Sequence, residues 1–261
     1  MTHDERVLNL EGVHNFRDYG GYSAAGGGRV RRGVLWRSGQ HRKATGADLE
    51  RIGTLALETV VDLRGSSERQ ASPCPRPAGF GAEVILYDGE TAGLAPHIEA
   101  AADVLDADDA RAAMQAMYRE IAFRSSLTTL IRQLFAVLGS RSGASLVHCH
   151  AGKDRTGIAV AMVHHALGVH RDDIMTDYMM TLTAGNNAAR IASMMTGMRE
   201  GPYAKLTDEA SRVLAGVDES FLEAAIVAAE ERHGSLDGYL AEVLDVDAAA
   251  RERLRERLIE G

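Results

Sequence analysis

The feature that most constrains the fold is an apolar strand that leads through a glycine-containing loop into an almost wholly apolar helix. The strand reads ASLVHC (144–149), the loop carries Gly152, and the helix GIAVAMVHHALG (157–168) ends in glycine. A helix that is apolar on nearly all sides is buried when the protein folds. This helix therefore belongs in the centre of the fold.

Short runs of β-branched and apolar residues predict four strands, and helical patterns separate most of them. This alternation predicts an α/β fold with a small, largely parallel sheet flanked by helices. Thr45 is placed to be the N-cap of a helix that connects the first two strands and carries apolar residues as far as Leu57. The predicted strands are 33–38, 59–64, 82–88 and 144–149.

The rest of the chain has helical patterns. Residues 125–138 carry one apolar stripe, with Gly139 as the predicted C-cap, and the C-terminal half is predicted to be all helix. Residues from about 90 to 123 interrupt the alternation with two amphipathic patterns rich in alanine and acids. This insertion is either extra packing or a helical lid over a site.

Composition limits the partners of the chain. Its formal net charge of −8 repels nucleic acid and anionic membranes, so an anionic substrate requires a local binding site. The two cysteines, Cys74 and Cys149, stand in unlike surroundings, and we expect no disulfide framework. No apolar run reaches the roughly 18 residues of a membrane span. The sequence predicts a protein without stable membrane insertion, either cytoplasmic or secreted without a cleaved signal peptide.

The loop combines a cysteine, an arginine and two glycines in the order His-Cys-x-x-Gly-x-x-Arg-Thr-Gly. At the start of a helix, unpaired backbone N–H groups and the positive end of the helix dipole favour an anion. Gly152 allows the backbone to curve closely around that anion, and Gly157 allows tight helix packing. The same environment and Arg155 favour the thiolate form of Cys149, which makes it a nucleophile.

Arg155 offers a planar fork that binds two equatorial oxygens of a phosphoryl group and stabilises the transition state. This pair of residues predicts phosphoryl transfer to sulfur. Thr156 is expected to donate its hydroxyl to Cys149 and to help the sulfur leave. We expect His148 to orient the loop.

Further segments match a known family. With the loop, they make the chain resemble the cysteine-dependent protein tyrosine phosphatases, and more narrowly their bacterial tyrosine-phosphatase-like branch. The segments are NFRDYGGY (15–22), LWRSGQ (35–40), VVDLRGSSE (60–68), RDDIMTDYM (171–179) and HGSLDGYL (233–240).

The resemblance implies one phosphatase domain over residues 1–261, with a lid insertion at about 90–123. It implies hydrolysis of phosphomonoesters in two steps, without metal or cofactor, through a cysteinyl-phosphate at Cys149. Members of this branch act on phosphotyrosine, and some also on phosphoserine, phosphothreonine and phosphoinositides. Whether the partner of this chain is a phosphorylated protein or a phosphoinositide stays open at this point.

The resemblance also assigns the remaining loop residues. His150, Ala151, Gly152, Lys153 and Thr156 form the substrate-binding part of the loop. Two basic residues, His150 and Lys153, resemble the arrangement in phosphoinositide phosphatases, although they can equally balance loop charge and hold the same single phosphate.

Asp154 is the first candidate for the general acid, because the branch carries an aspartate there. Asp88, at the end of the third predicted strand, is the second candidate.

Other acidic and basic residues are interpreted as framework. Asp62, Arg64 and Glu68 are predicted to support loops through arginine–carboxylate pairs, and so are three residues of the N-terminal third, Arg17, Asp18 and Arg37.

Two other function classes remain as alternatives. Sulfurtransferases also hold a reactive cysteine in an anion-binding loop, and a non-catalytic phosphate-binding module would bind without turnover. The histidines His148, His150, His164 and His165 lie close in sequence, but their spacing does not favour a metal site.

Overall fold

The computed structural model describes residues 5–91, 106–200 and 205–261. In these ranges the chain forms a mixed α/β fold around a five-stranded sheet in the order β1-β3-β6-β4-β5, and a separate two-stranded sheet, β2-β7. The strands are β1 (Arg17–Asp18), β2 (Arg29–Val30), β3 (Leu35–Ser38), β4 (Leu57–Asp62), β5 (Glu83–Leu86), β6 (Ala144–His148) and β7 (Ile259–Glu260).

The large sheet is mostly parallel. Strands β3, β6, β4 and β5 run in one direction, and only the short edge strand β1 is antiparallel, to β3. The register pairs His148 of the central strand β6 with Ser38 of β3 and with Asp62 of β4. Three strands therefore end side by side at one edge of the sheet.

Each face of the sheet packs against its own hydrophobic cluster. Val61 and Val147 belong to the large cluster, which includes most of the helices, whereas Val60 and Leu146 belong to a smaller cluster with Phe16. Successive side chains of a strand point to opposite faces, so the continuous apolar runs of β4 and β6 bury both faces of the sheet.

The helices are α1 (Gly46–Gly53), α2 (Ser66–Ala71), α3 (Ala107–Ile121), α4 (Ser125–Ser140), α5 (Asp154–Leu167), α6 (Arg171–Met179), α7 (Asn187–Glu200), α8 (Asp208–Ala215), α9 (Glu219–His233), α10 (Leu236–Leu244) and α11 (Ala248–Leu258). In α5 every residue except His165 is buried, which confirms the predicted central helix. Gly168 ends it in the left-handed conformation, with φ of +80°.

Several predicted boundaries are wrong. Thr45 caps α1 as expected, but the helix stops at Gly53, and Leu57 already begins β4. Gly139 lies inside α4 and does not cap it, because the helix continues to Ser140. The C-terminal half also contains the strand β7, which pairs with β2.

The insertion at about 90–123 is described only in part. Its second predicted helix is α3, which buries Ala110, Met114, Met117, Tyr118 and Ile121. The first predicted helix lies in residues 92–105, outside the described ranges. The described part of the insertion is thus a core helix, and its contribution to a lid stays a prediction.

Across the described ranges, no single helix is both long and apolar enough to cross a membrane. Helices α3 and α4 meet the length and composition requirement only when taken together across a bend of 61°.

Candidate functional site

The central strand β6 delivers the candidate nucleophile to the edge of the sheet where three strands end. Cys149 follows the last residue of β6 and is 2% exposed. Helix α5 begins five residues later, at Asp154. We call residues 149–155 the cysteine loop.

The carbonyl groups around the cysteine loop point outward, to partners in other segments. The oxygen of His148 accepts from the amide of Leu63 at 2.8 Å, and the oxygen of His150 accepts from the amide of Gln40 at 2.9 Å. The oxygen of Gly152 accepts from Asn15 Nδ2 at 2.6 Å and from Arg37 Nη2 at 2.9 Å. Backbone carbonyls fixed outward favour amides that face the inside of the loop.

The first turn of α5 adds further unpaired amides. Gly157 donates to the carbonyl of Lys153 at 2.7 Å, which is the first hydrogen bond of the helix ladder. The amides of Asp154, Arg155 and Thr156 precede it and have no acceptor within the helix. This end of α5 therefore has the donors and the dipole of an anion site.

Two features of the loop require glycine at position 152. Its φ is +69°, in the region that side chains disfavour. A Cβ at this position would lie 2.5 Å from the backbone carbonyl group of Ser38. The backbone of the loop thus passes directly against the end of β3, where only glycine fits.

Arg155 is held by a partly buried carboxylate on helix α2, that of Glu68, whose side chain is 13% exposed. Its Nη1 and Nη2 donate to the two oxygens of Glu68 at 2.6 and 2.7 Å, and Nη1 also donates to Leu63 O and Thr91 Oγ1. Burial alone would lower the pKa of Arg155, but the hydrogen bonds with Glu68 and the nearby Cys149 raise it above its ordinary value. The guanidinium is therefore a fixed, permanent cation within electrostatic reach of the sulfur.

Two polar atoms in the first turn of α5 are buried without a partner among the described residues. They are Nε of Arg155 and Oγ1 of Thr156. Among the described residues, protein acceptors use Nη1 and one hydrogen of Nη2, so the edge of the guanidinium formed by Nε and Nη2 has no acceptor there and can act as a two-pronged donor. The Thr156 hydroxyl does not form the hydrogen bond to Cys149 that the sequence predicts.

Lys153 points to the helical half of the chain. Its fully buried ammonium donates to the carbonyls of Leu214 and Gly216 at 2.7 and 2.9 Å and lies 3.3 Å from Oδ1 of Asp154. Burial lowers the pKa of Lys153, whereas Asp154 opposes that change. The ammonium of Lys153 has three N–H donors, and these three acceptors account for all of them.

Asp154 is 2% exposed and belongs to a buried hydroxyl chain. Tyr118 donates to its Oδ1 at 2.9 Å, and the hydroxyls of Tyr118 and Tyr178 lie 2.8 Å apart. Asp88, the second candidate acid, is exposed and lies two residues beyond β5. Sequence reasoning missed both tyrosines, because they are 36 residues before and 24 residues after Asp154 in the chain.

A buried ion cluster supports the back of the cysteine loop. Asp177 of α6 accepts from Arg17 at 3.2 Å and from Arg37 at 2.5 Å, and all three side chains are at most 1% exposed. Burial disfavours the charged carboxylate, but Arg17 and Arg37 hold the pKa of Asp177 well below its ordinary value. The two arginines were predicted as framework residues, but their partner Asp177 was not identified.

A second buried ion pair, Asp62 with Arg64, supports the other side of the cysteine loop. Arg64 donates to both oxygens of Asp62 at 2.9 and 2.7 Å, as the framework interpretation predicts. Although burial would raise it, positive neighbours lower the pKa of Asp62 to about 2. His148 lies 3.8 Å from Asp62 and stacks on His41, and burial lowers the pKa of His148 to about 4.

The other histidines considered as metal ligands lie apart in the structure. His150, in the cysteine loop, contacts Gln40. His164 donates to the carbonyl of Tyr19, and His165 contacts Asp237. Within the described ranges, His, Cys, Asp and Glu side chains form no group of three arranged to hold a metal ion. Cys74 and Cys149 are both free thiols.

Comparison with known proteins agrees with this geometry. Residues 8–260 match the family model described as the tyrosine phosphatase family. A Cupriavidus necator protein, named provisionally as a tyrosine-protein phosphatase, is 35% identical and aligns with 93% of this chain and 85% of its own. The triple specificity protein phosphatase PtpB of Mycobacterium tuberculosis is 29% identical over 97% of this chain and 99% of its own.

Among solved structures, the crystal structure of P. aeruginosa TpbA matches 80% of this chain and 96% of its own, with 17% identity and a TM-score of 0.30. A similarity this low supports no structural argument. The family model, in contrast, spans nearly all of the sequence, and the Cupriavidus relative covers most of it. The chain therefore belongs to the tyrosine phosphatase family, and it is a phosphatase.

Proposed function

We propose that this phosphatase hydrolyses phosphotyrosine through a phosphorylated cysteine. The observation that carries the proposal is the fixed guanidinium of Arg155, held by Glu68 with one donor edge unused, at the start of the helix that follows Cys149. That edge and the amides of the loop supply donors for the equatorial oxygens of a phosphoryl group.

In the first step, the sulfur of Cys149 attacks phosphorus, and the bond between phosphorus and the tyrosine oxygen breaks. Asp154 donates a proton to the departing oxygen. In the second step, water attacks phosphorus, Asp154 takes a proton from it, and the sulfur leaves as thiolate. The products are tyrosine and inorganic phosphate. The unpartnered hydroxyl of Thr156 is then a donor for the leaving sulfur.

The structure supports a substrate-binding role to different degrees for the five proposed residues, which are His150, Ala151, Gly152, Lys153 and Thr156. The geometry of Gly152 supports its role in shaping the loop. The contacts of Lys153 with Leu214, Gly216 and Asp154 support charge balance over a direct grip on phosphate. The preference for phosphotyrosine over phosphoserine, phosphothreonine or phosphoinositides is part of the proposal.

The same proposal treats the chain as one phosphatase domain. The pairing of β2, near the N-terminus, with β7, at the C-terminus, supports it because it joins the two ends of the chain.

The nucleophile is tested by comparing wild-type protein with Cys149→Ser on p-nitrophenyl phosphate and on a phosphotyrosine peptide in chelator. We expect turnover by the wild type, a cysteinyl-phosphate trapped on rapid acid quench, and neither with the variant. Retention of sulfur from thiosulfate without phosphate release would instead indicate a sulfurtransferase. Tight phosphate binding without turnover would indicate a binding module.

The general acid is tested with Asp154→Asn and Asp88→Asn. We expect the first to lower kcat about a hundredfold and to remove the decrease of activity at alkaline pH, because general acid catalysis contributes on this scale. We expect the second, a change at an exposed position, to have the wild-type pH profile. The reverse pattern would assign the acid to Asp88.

A further inference from the structure

A basic pocket adjoins the cysteine loop, and its cationic side chains outside the loop have no role in the proposed hydrolysis. Its volume is about 280 Å³, and its wall includes His150 and Ala151 of the loop and three cationic side chains, Arg42, Lys43 and Arg190. We call it the basic pocket.

The charge of this pocket contrasts with that of the whole chain. Asp and Glu outnumber Lys and Arg by 37 to 29 in the sequence. The residues that line the basic pocket, all of them in the described ranges, include no carboxylate. Three basic side chains that share one concave surface without a carboxylate favour an anionic ligand.

Arg190 of helix α7 is the most informative of the three. Its side chain is buried, with the whole residue 8% exposed, and its acceptors are neutral: Asn187 Oδ1 at 3.0 Å and the carbonyl of Ala215 at 3.2 Å. Burial lowers the pKa of Arg190, and the nearby Asp154 and Cys149 oppose that change. A buried guanidinium with neutral acceptors is costly unless a negative group is near it.

The neighbouring histidines show that the basic pocket continues from the cysteine loop. Burial lowers the pKa of His150, and Arg155 and Arg190 lower it further. Burial also lowers the pKa of His14, and Arg190 and Lys43 lower it further. Arg190, both histidines and Lys43 line the same pocket, which therefore extends from the cysteine loop to the exposed Lys43.

We propose that the basic pocket binds a second phosphate of the same substrate, a peptide phosphorylated at two neighbouring residues. The proposal rests on the proposed function, because one phosphate must occupy the cysteine loop while the second contacts Arg190, Lys43 and Arg42. The fork of an arginine suits a phosphate held by two hydrogen bonds.

A soluble peptide fits this surface better than a lipid bilayer. The net charge of −8 repels anionic membranes. In the described part of the chain, Leu86 is the one large hydrophobic side chain that is exposed, and it does not line the basic pocket. The large apolar side chain in the pocket wall is Met194, which is partly buried, so the pocket lacks the exposed apolar face of a membrane-binding surface.

The test compares two peptides of one sequence that share a phosphotyrosine and differ in whether the serine two residues away is phosphorylated. We expect the wild type to have a kcat/KM about tenfold higher for the doubly phosphorylated peptide, the scale of one charge-assisted hydrogen bond. In Arg42→Gln/Lys43→Gln protein, which changes only exposed positions, this ratio should fall toward one. The matched control is Arg253→Gln, an exposed arginine of α11 outside the pocket, which should keep the wild-type ratio.

Hydrolysis of the singly phosphorylated peptide tests the proposed function separately. If that reaction proceeds but the wild-type ratio is near one, or if the double variant keeps the ratio, the second-phosphate site is disproved and the phosphatase mechanism stands. A preference for phosphoinositide vesicles that disappears in the double variant, with no preference between the peptides, would also overturn the proposal and assign the pocket to lipid.

Discussion

The hydroxyl of Tyr118 lies 2.9 Å from Oδ1 of Asp154. Tyr118 belongs to α3, in the inserted segment, whereas Asp154 begins α5, and a second tyrosine, Tyr178 of α6, lies 2.8 Å from the Tyr118 hydroxyl. Burial and the charge of Asp154 raise the pKa of both tyrosines well above the ordinary value, so both hydroxyls stay protonated. The insertion thus contributes to the orientation of the proposed general acid.

The variant Tyr118→Phe tests this positioning role. We expect kcat to fall several-fold with KM little changed, and the pH profile to shift, because the carboxyl of Asp154 loses a donor that fixes it. Removing one partner of a buried hydrogen bond also lowers the free energy of unfolding by about 1–3 kcal/mol. Steady-state kinetics over pH and urea unfolding measure the two effects.

Tyr239→Phe is the matched control. This tyrosine is equally buried and donates to the carbonyl of Ala122, away from the cysteine loop. A similar loss of stability with unchanged kcat and pH profile is expected. If both variants change kcat alike, the hydroxyl of Tyr118 has only a structural role.

Glu68→Gln separates the position of Arg155 from its charge. A glutamine keeps one acceptor but cannot accept two hydrogen bonds from the guanidinium, so Arg155 gains rotational freedom. We expect kcat to fall at least about tenfold, since loss of one well-aligned charged interaction in a transition state costs this much or more. Glu83→Gln, which affects the exposed pair with Arg141, should have the wild-type rate. Equal rates for all three proteins would contradict the role of Glu68.

Gly152→Ala should inactivate the enzyme. The new Cβ meets the backbone of Ser38, and a left-handed φ costs an alanine roughly 1–2 kcal/mol. The loop must move to relieve this contact, and its amides move with it. Activity on p-nitrophenyl phosphate and the thermal midpoint are the measurements.

Gly139→Ala provides the comparison for this change. That glycine lies inside α4, and a Cβ added to it would meet no atom within 4 Å, so alanine should raise stability by about 0.5–1 kcal/mol. An active, stable Gly152→Ala protein would show that the loop tolerates a side chain at this point.

Stability should decrease on acidification between pH 6.5 and pH 4. Burial lowers the pKa of His148 from 6.5 to about 4, so in this window the unfolded chain binds a proton that the folded chain does not. The neutral histidine therefore contributes fully above pH 6.5, and this contribution, about 3 kcal/mol, is lost as the pH falls to about 4. Unfolding free energies at several pH values should show a smaller slope for His148→Gln. An identical slope would exclude His148 as the source.

The strand, loop and helix that form the site were predictable from the sequence. The strand, the loop and the helix are contiguous, and their geometry follows from apolar patterning, glycine placement and unpaired amides within about 25 residues. For that reason Cys149 and Arg155 could be proposed as site residues without the structure, and the central position of α5 could be predicted. The ends of α1 and α4 were not predicted correctly, because an apolar residue or a glycine near a helix end is compatible with several boundaries.

The tertiary structure decided which distant groups surround the loop. Asp177 pairs with Arg17 and Arg37, Glu68 with Arg155, and Tyr118 with Asp154, across 36 to 160 positions in the chain. Many arginines and carboxylates were available in the sequence, and its spacing does not specify which pairs form. The packing of helices and strands specifies them, because a buried charge or hydroxyl is stable only where a partner lies within hydrogen-bond distance.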